Sequence, residues 1–223
     1  MRVVGWVFTQ DAFKHERDEW LRKVVAALGE ADEVLLFDHH SEDGTPELVS
    51  ELGGVCWAHR DGNRTIGRAM NLGHQAAADV AGPGGLVVTA QDDVVWRPGW
   101  RARLEAFWSD APRNVGLMSG LLEPDFPWAA PIEMVSAGGL SGLSRLTVPG
   151  GAWVYRAEMW ETMRWANEDK PSHDMPICDR VRSAGYRLVG VDLADHLGAG
   201  RSTWGNQSYA GAPALNLRRW GLA

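Results

Sequence analysis

The sequence predicts an α/β protein with a doubly wound, mostly parallel β-sheet. Short apolar segments rich in β-branched residues, which are typical of buried strands, alternate with longer segments whose apolar residues recur at helical spacing. This alternation occurs four times in the first half of the 223-residue chain, with short links between the segments. Repeated strand–helix units of this kind are typical of parallel sheets that are covered by helices on both faces.

The first half of the chain contains four predicted strand–helix units. The predicted strands cover residues 2–9, 34–37, 55–58 and 86–90, and the predicted helices cover 13–28, 46–52, 66–80 and 101–108. The second helix has Thr45 as a capping residue and Pro46 at its first position, and both residues favour a helix start. The Gly-Pro-Gly-Gly run that begins at Gly82 ends the third helix.

The second half of the chain is less regular. Strands are predicted at 115–121, 148–156 and 186–191, and helices at 158–165 and 175–184. Residues 123–146 are rich in Pro, Gly and Ser and are predicted to form a long loop, which in a compact domain usually has a function. We therefore expect a flexible lid there. The whole chain is expected to form one domain, with an N-terminal half over 1–114 and a C-terminal half over 115–223.

Composition excludes several classes of protein. The net charge of −7 argues against a nucleic-acid-binding surface. No apolar run approaches the roughly 20 residues that a membrane span requires. The chain leads directly into its first strand, so no signal peptide is expected. Cys56 and Cys178 are the only cysteines and lack metal-type spacing, so a reducing cytoplasm is the expected location.

The fourth predicted strand ends in two adjacent carboxylates, Asp92 and Asp93. Carboxylates at the end of a buried strand are costly unless they meet a cation or strong hydrogen-bond donors. That edge of an open α/β sheet is where ligands bind. Hard oxygen ligands select Mg²⁺ or Mn²⁺, so the pair suits a divalent metal that carries a diphosphate. The alternative is a turn that exposes two solvated aspartates.

The second predicted strand ends at Asp38, before the polar loop His-His-Ser-Glu-Asp-Gly-Thr. An acid at such a strand end can accept a hydrogen bond from a nucleobase or a ribose hydroxyl. A plain polar turn explains Asp43, Gly44 and Thr45 fully but explains Asp38 less well. The chain has no Gly-x-Gly-x-x-Gly after its first strand and no Gly-Lys-Ser/Thr motif, which disfavours dinucleotide dehydrogenases and P-loop NTPases.

Taken in order, these motifs resemble those of the nucleotide-sugar glycosyltransferases of the GT-A fold, and the pattern is most similar to family 2. The matching segments are Asp38 with Ser41-Glu-Asp43-Gly44-Thr45, then Asn71-Leu-Gly73, Gln91-Asp92-Asp93 with Pro98-Gly99-Trp100, Gly150-Gly151 before Arg156, and Asp174 before Gly185-Tyr186-Arg187. The resemblance spans roughly residues 2–200. It implies a Rossmann-like nucleotide-sugar half and a smaller, mixed acceptor-side half.

The resemblance also implies roles for individual residues. Asp93 and His196 would be ligands of a divalent metal, Mn²⁺ or Mg²⁺, and Asp174 would be the general base that takes a proton from the acceptor hydroxyl. The donor would be bound by residues near the strand ends, with Asp38 at the nucleobase or ribose; the set is Thr9, Asp38, Asn71, Gln91 and Asp92.

The chain departs from the family pattern at three places. Gln91 stands where the family has the first acid of Asp-x-Asp, and an amide binds metal poorly. Asp92 is not a straightforward replacement for that acid, because its side chain should point to the opposite face of the strand from Asp93. His173 stands where the family usually has Glu, and the phosphate side has only candidate cations, which are Arg64, Arg68 and Arg201.

The sequence therefore predicts a metal-dependent glycosyltransferase of the hexosyltransferase type. It would move a sugar from a UDP- or GDP-sugar to a glycan, protein or small-molecule acceptor. Inversion of the anomeric centre is the family expectation, but retention is also compatible with a histidine metal ligand. Two alternatives stay open: a non-catalytic nucleotide-sugar or glycan-binding module of the same fold, and, less favoured, a sugar-phosphate nucleotidyltransferase. The residues after the first strand, Thr9-Gln10-Asp11-Ala12-Phe13, lack the Gly-rich basic loop that the second alternative requires.

Overall fold

A computed structural model describes residues 1–56, 65–122, 131–164 and 174–197 of the chain. The strands are β1 Val3–Thr9, β2 Glu33–Asp38, β3 Val55–Cys56, β4 Leu86–Gln91, β5 Val94–Trp96, β6 Val115–Ser119, β7 Pro131–Ala137, β8 Leu140–Arg145, β9 Trp153–Arg156, β10 Arg187–Gly190 and β11 Ala194–His196. The α-helices are α1 Asp18–Ala27, α2 Thr45–Glu51, α3 Ile66–Ala81, α4 Trp100–Asp110, α5 Trp160–Met163 and α6 Asp174–Ser183.

Nine of these strands form one sheet in the order β3-β2-β1-β4-β9-β6-β10-β8-β7, and β5 and β11 form a separate two-stranded sheet. The first four strands of this order are parallel, with β1 between β2 and β4. Most residues of β1 and β4 are buried, as their continuous apolar sequences predict. The predicted α/β fold with a mostly parallel N-terminal half is confirmed.

The C-terminal half of the sheet is mixed. Strand β9 lies antiparallel between β4 and β6, and β10 is parallel to β6 and antiparallel to β8. This arrangement places a strand from late in the chain beside the strand that ends at Gln91. The two halves of the chain therefore share one sheet.

The prediction of a long loop over 123–146 is wrong for residues 131–145. These residues form β7 and β8, an antiparallel hairpin at the edge of the sheet. Its two-residue turn consists of Gly138 and Gly139, both with positive φ (53° and 76°), which is the conformation that tight hairpin turns require. Small residues in both strands hide the apolar alternation. Residues 123–130, the rest of the expected lid, lie outside the described residues.

Other boundaries differ more modestly from the predictions. Helix α1 begins at Asp18 rather than near residue 13, because residues 10–17 form turns. The strand predicted from 148 begins only at Trp153, after the Pro-Gly-Gly run. Strands β5 and β11 were not predicted, since three residues are too few to show a period.

Two apolar layers cover the sheet. One contains residues of α1, α2 and α4, with Leu21, Trp100 and Phe107 fully buried. The other contains residues of α3, α5 and α6 packed on Trp6 and Tyr155. Helices on both faces are what a doubly wound sheet requires. Among the described residues, no helix is long and apolar enough to cross a membrane.

Candidate functional site

Three neighbouring parallel strands end at one edge of the sheet, and each ends in a polar residue. Thr9 of β1 is in register with Asp38 of β2, and Phe8 of β1 is in register with Gln91 of β4. Because carboxyl ends of parallel strands meet at the same edge, these side chains lie where open α/β sheets bind ligands. The chain turns immediately after Gln91 through Asp92 and Asp93.

Asp38 is almost completely buried at this edge, with 4% of its surface exposed. Its carboxylate accepts hydrogen bonds from the Ser41 backbone N–H (3.3 Å) and from the Ser41 hydroxyl. Burial raises the pKa of Asp38, the Ser41 hydrogen bonds oppose that rise, and the nearby Asp43 and Asp11 carboxylates add to it. Holding this carboxylate charged is therefore costly for the folded protein.

The rest of the loop after β2 has a structural role. Asp43 accepts hydrogen bonds from the backbone N–H groups of Lys14 and Thr45, both at 2.8 Å. The Thr45 hydroxyl oxygen accepts one from the Ala12 N–H at 2.8 Å. The Asp43–Thr45 bond is local, as the turn interpretation predicts, and the other two join the loop after β1 to the start of α2. Asp38 has no part in them.

Asp92 is held inside the protein by two side chains. Its Oδ1 lies 2.6 Å from the Arg17 guanidinium, and its Oδ2 accepts a hydrogen bond from the Thr9 hydroxyl at 2.9 Å. Burial raises the pKa of Asp92 to about 6, although Arg17 opposes that rise. Both carboxylate oxygens are thus engaged within the chain. Sequence reasoning missed Arg17, because its partner lies 75 residues away and no local pattern marks the pair.

Asp93 and His196 face each other. The Nε2 atom of His196 lies 3.5 Å from Oδ2 of Asp93, and their side chains are 22% and 10% exposed. Within the described part of the chain, the buried Oδ1 of Asp93 and Nδ1 of His196 have no hydrogen-bond partner. Strands β5 and β11 create this contact, since His196 pairs with Val94 and the Leu197 N–H donates to the Asp93 carbonyl at 2.7 Å.

The Asp93–His196 pair fits a divalent metal whose other ligands come from elsewhere. A buried carboxylate oxygen without a partner costs free energy that a cation would offset. Carboxylate oxygen and imidazole nitrogen suit Mn²⁺, and Mg²⁺ commonly uses one or two carboxylates together with substrate phosphates. Among the described residues, no group of three or more His, Cys, Asp or Glu side chains could hold a metal. A phosphorylated ligand would have to complete the coordination.

The Gly150–Gly151 segment contacts both Asp174 and Gln91. Its Oδ2 accepts a hydrogen bond from the Gly150 N–H at 2.7 Å, and a Cβ atom at Gly150 would overlap the Asp174 carboxylate. The Gly151 carbonyl accepts from the Gln91 N–H at 2.9 Å. Gly151 has a φ of 85°, and a Cβ there would lie 3.3 Å from Gln91 Oε1. Two adjacent glycines thus bring the start of α6 close to the end of β4.

The Asn71-Leu-Gly73 segment lies on α3 against Trp6. A Cβ atom at Gly73 would overlap the Trp6 ring, so this position requires glycine. Asn71 is 6% exposed. His74, which follows Gly73, has a structural role. Its Nδ1 lies 2.5 Å from the Tyr155 hydroxyl, and complete burial lowers its pKa to about 3. Three predicted candidates, Arg64, His173 and Arg201, lie outside the described residues.

The family model for glycosyl transferase family 2 matches residues 13–130, which is more than half of the chain. No curated protein matches this chain. Among solved structures, the chain is similar to the mannosyltransferase PcManGT from Pyrobaculum calidifontis in complex with GDP-Man and Mn²⁺. The identity is 19%, the match covers 98% of this chain and 60% of that one, and the TM-score is 0.60.

Two further solved structures are similar. S. aureus TarS 1-349 in complex with UDP-GlcNAc is 14% identical, with 86% of this chain and 56% of that chain covered and a TM-score of 0.56. A nucleotidyl transferase from Methanothermobacter thermautotroptrophicus is 14% identical, with coverages of 86% and 87% and a TM-score of 0.53. The chain spans less than two thirds of the length of PcManGT and of the TarS segment. At these identities the likeness shows the fold alone.

Proposed function

The chain belongs to glycosyl transferase family 2 and has the GT-A fold, and we propose that it transfers a hexosyl group from a nucleoside-diphosphate sugar to a hydroxyl acceptor. The observation that carries the proposal is the contact between Asp93 and His196, at 3.5 Å, on the sheet edge that also holds Asp38. A carboxylate with one unpartnered oxygen and the other beside an imidazole nitrogen is a suitable anchor for a metal-bound diphosphate.

The donor would bind along the edge formed by β2, β1 and β4. Asp38 would accept a hydrogen bond from the nucleobase or ribose, and the exposed Gln91 amide would bind a ribose hydroxyl. Thr9 and Asp92 bind each other in the structure, so we assign them to shaping the donor site. Asn71, a buried residue of α3, is assigned to the donor site from the family pattern. The GDP-Man and UDP-GlcNAc complexes of the similar structures support a UDP- or GDP-sugar as donor.

Asp93 and His196 would hold a Mn²⁺ or Mg²⁺ ion, which would neutralise the charge that develops on the departing diphosphate. The complex of PcManGT with Mn²⁺ supports this assignment. The chain itself has a net charge of −7, which disfavours an approaching diphosphate. The positive charge of a metal ion held by Asp93 would therefore improve donor binding as well as departure of the leaving group.

Asp174 would act as the general base. Its position as the first residue of α6 favours the ionised carboxylate, since the helix N-terminus has partial positive charge. The Gly150 N–H holds the carboxylate through Oδ2, and a carboxylate held in this way would act as the base that takes the proton of an acceptor hydroxyl. Attack by that hydroxyl, with departure of the nucleoside diphosphate from the opposite side, would invert the anomeric centre.

The second candidate is nucleotidyl transfer. It is favoured by one observation, the 86% and 87% mutual coverage with the nucleotidyl transferase of the same fold. The two reactions release different products, namely a nucleoside diphosphate from glycosyl transfer and pyrophosphate from nucleotidyl transfer. A non-catalytic binding module would release neither.

The test is nucleotide release from a panel of UDP- and GDP-sugars, measured with Mn²⁺, with Mg²⁺ and with EDTA. We expect metal-dependent release of UDP or GDP. Asp93→Asn should abolish it, and Asp174→Asn should reduce turnover by about 10²- to 10⁴-fold with donor affinity within a few-fold of the parent. Asp79→Asn, which changes an exposed acid on α3, is the matched control. If Asp93→Asn released UDP or GDP at the parental rate in EDTA, the assigned metal site would be excluded.

A further inference from the structure

The two-stranded sheet of β5 and β11 is the part of the fold that brings Asp93 and His196 together. Asp93 immediately precedes β5, and His196 is the last residue of β11. Three residue pairs define the register, namely Ala194 with Trp96, Asp195 with Val95 and His196 with Val94. A slip of one residue would turn the imidazole to the other face of the ribbon.

A single arginine connects the two strands on their exposed side. The Nε and terminal nitrogen of Arg97 lie 2.9 and 2.6 Å from the two carboxylate oxygens of Asp195. The other terminal nitrogen lies 2.9 Å from Asp192 Oδ2. The backbone N–H of Arg97 also donates to the Leu193 carbonyl at 2.9 Å. Arg97 Nη1 also donates to the Asp192 carbonyl at 3.5 Å. Arg97 therefore contacts the chain just before His196 through one backbone and four side-chain interactions.

We propose that Arg97 is a positioning residue for the metal site: its clamp on Asp195 and Asp192 holds β11 in the register that presents His196 to Asp93. The inference rests on the proposed function, because it assigns a purpose to the geometry of the proposed metal ligands. The chemical class of the ligand is a divalent cation bound together with a nucleoside diphosphate.

The clamp is needed because the ribbon is short. Two three-residue strands are marginal by themselves, and a metal ligand must be held within about 0.5 Å of its productive position. A bidentate arginine–carboxylate pair fixes both distance and orientation, which a lysine cannot do. Exposed ion pairs add little to the stability of a whole protein, so the effect of this pair should be local.

An effect of the Arg97 charge alone would change Mn²⁺ binding in the opposite direction. Arg97 is a cation close to the proposed cation site, and its removal would leave Asp192 and Asp195 without their positive partner. If Arg97 acted only through its charge, replacing it with a neutral residue would tighten Mn²⁺ binding. If Arg97 acts by positioning His196, the same replacement weakens Mn²⁺ binding. The direction of the change therefore separates the two explanations.

The test measures the dissociation constant of Mn²⁺ by the electron paramagnetic resonance signal of the free ion, with saturating UDP or GDP present. Arg97→Gln should raise that constant about three- to tenfold, less than the 10- to 100-fold typical of residues hydrogen-bonded to a metal ligand. Arg97→Lys should give an intermediate value. In a double-mutant cycle, Asp195→Asn should add little to the effect of Arg97→Gln, because both changes break one pair.

Arg22→Gln is the matched control. It breaks the bidentate Arg22–Glu51 pair, whose arginine side chain is 39% exposed, as is that of Arg97. We expect similar melting temperatures for the two variants but an altered Mn²⁺ constant only for Arg97→Gln. An unchanged or tighter Mn²⁺ constant in Arg97→Gln, with binding lost in Asp93→Asn, would overturn the clamp alone. Parental Mn²⁺ binding in Asp93→Asn, or no binding by the parent, would overturn the metal site and the clamp together.

Discussion

The residues of the candidate site differ from the core around them in being buried polar groups that destabilise the folded chain. Burial raises the pKa of Asp38, and it raises the pKa of Asp92 to about 6 despite the contact with Arg17. Asp93 has a buried oxygen without a partner among the described residues. Three buried carboxylates at one sheet edge are hard to explain by stability, and groups with a shifted pKa, such as Asp38 and Asp92, cluster at functional sites.

Asp38→Asn should stabilise the protein at neutral pH and weaken donor binding. The pKa of Asp38 is raised above its ordinary value of 3.8, so the folded state binds more protons than the unfolded state between these two values. Stability due to this group therefore falls as pH rises through that window and stays low above it. The neutral asparagine removes this cost, so the stability gain should be present at pH 7 and vanish below about pH 4.

Urea unfolding of both proteins at several pH values measures this difference, and donor kinetics measure the second effect. Loss of a charged acceptor for the nucleobase or ribose should raise the donor Michaelis constant about tenfold, with a smaller change in turnover. Asp79→Asn, on the exposed face of α3, should show neither change. A gain in stability that is the same at every pH, or an unchanged donor Michaelis constant, would indicate that Asp38 is only part of a polar turn.

Gly150→Ala should impair turnover while sparing donor binding. A Cβ atom at Gly150 would overlap the Asp174 carboxylate, so the proposed base would have to move. A displacement of about 1 Å can cost on the order of 100-fold in rate. Gly29→Ala is the control, because a Cβ there meets nothing within 4 Å.

Single-turnover rates and donor titration separate these effects for both alanine variants. If Gly150→Ala turns over at the parental rate, either the proposed base is not Asp174 or its position is not critical. The Asp174→Asn variant distinguishes those two outcomes.

At the scale of the element, the sequence predicts strands and helices well where their own residues determine them. Strands β1 and β4 are continuous apolar runs, and α2 begins at Thr45, one residue before its predicted start. The prediction of Thr45 as the capping residue is wrong, because Gly44 holds that position and the Thr45 hydroxyl binds the Ala12 N–H instead. The elements that were missed depend on distant partners. Strands β5 and β11 are three residues each and exist because they pair with each other across about 100 residues of chain.

The candidate site follows the same rule. The strand ends at Thr9, Asp38 and Gln91 could be placed from sequence, because each terminates a recognisable strand. The structure also brings Asp93 and His196 together, as the family resemblance implies, although their roles stay predictions. Arg17 could not be found, since a loop arginine has no local feature that identifies Asp92 as its partner.

The β7–β8 hairpin provides a prediction at this scale. Gly138 and Gly139 both have positive φ, but a Cβ at Gly138 would overlap the backbone of Ala106, whereas one at Gly139 meets open space. Gly139→Ala should lower the free energy of unfolding by about 1–2 kcal/mol, the cost of a left-handed alanine. Gly138→Ala should cost about 1–3 kcal/mol more, because the steric overlap with α4 is added.

Urea denaturation measures both losses, and donor affinity should stay unchanged in both variants because the hairpin lies at the opposite end of the sheet from β2. Equal losses of stability would show that the hairpin does not pack on α4 as described. Weaker donor binding in either variant would indicate that the hairpin contributes to the donor site.

At the scale of the whole molecule, the two halves of the chain are interleaved. Strand β9 lies between β4 and β6, and the Ala157 N–H donates to the Gly85 carbonyl at 2.9 Å. One apolar layer contains both Val88 of β4 and Val154 of β9. The proposed donor residues lie in the first half, whereas Asp174 and His196 belong to the second. The proposed function and the shared core therefore both require the halves to fold together.

We accordingly expect the chain to unfold in one cooperative step as a single domain. Tryptophan fluorescence and far-ultraviolet circular dichroism should give coincident transitions, because buried tryptophans such as Trp6 and Trp153 occur in both halves. Mn²⁺ with UDP or GDP at 100 times its dissociation constant should add about 2.7 kcal/mol. For a protein of this size that shifts the melting temperature by roughly 5–10 °C, and both probes should move equally. Asp93→Asn should keep the single transition but lose the metal-dependent shift. Two separate transitions, with only one responding to ligand, would show that the halves are independent units and that the site between them does not couple to folding.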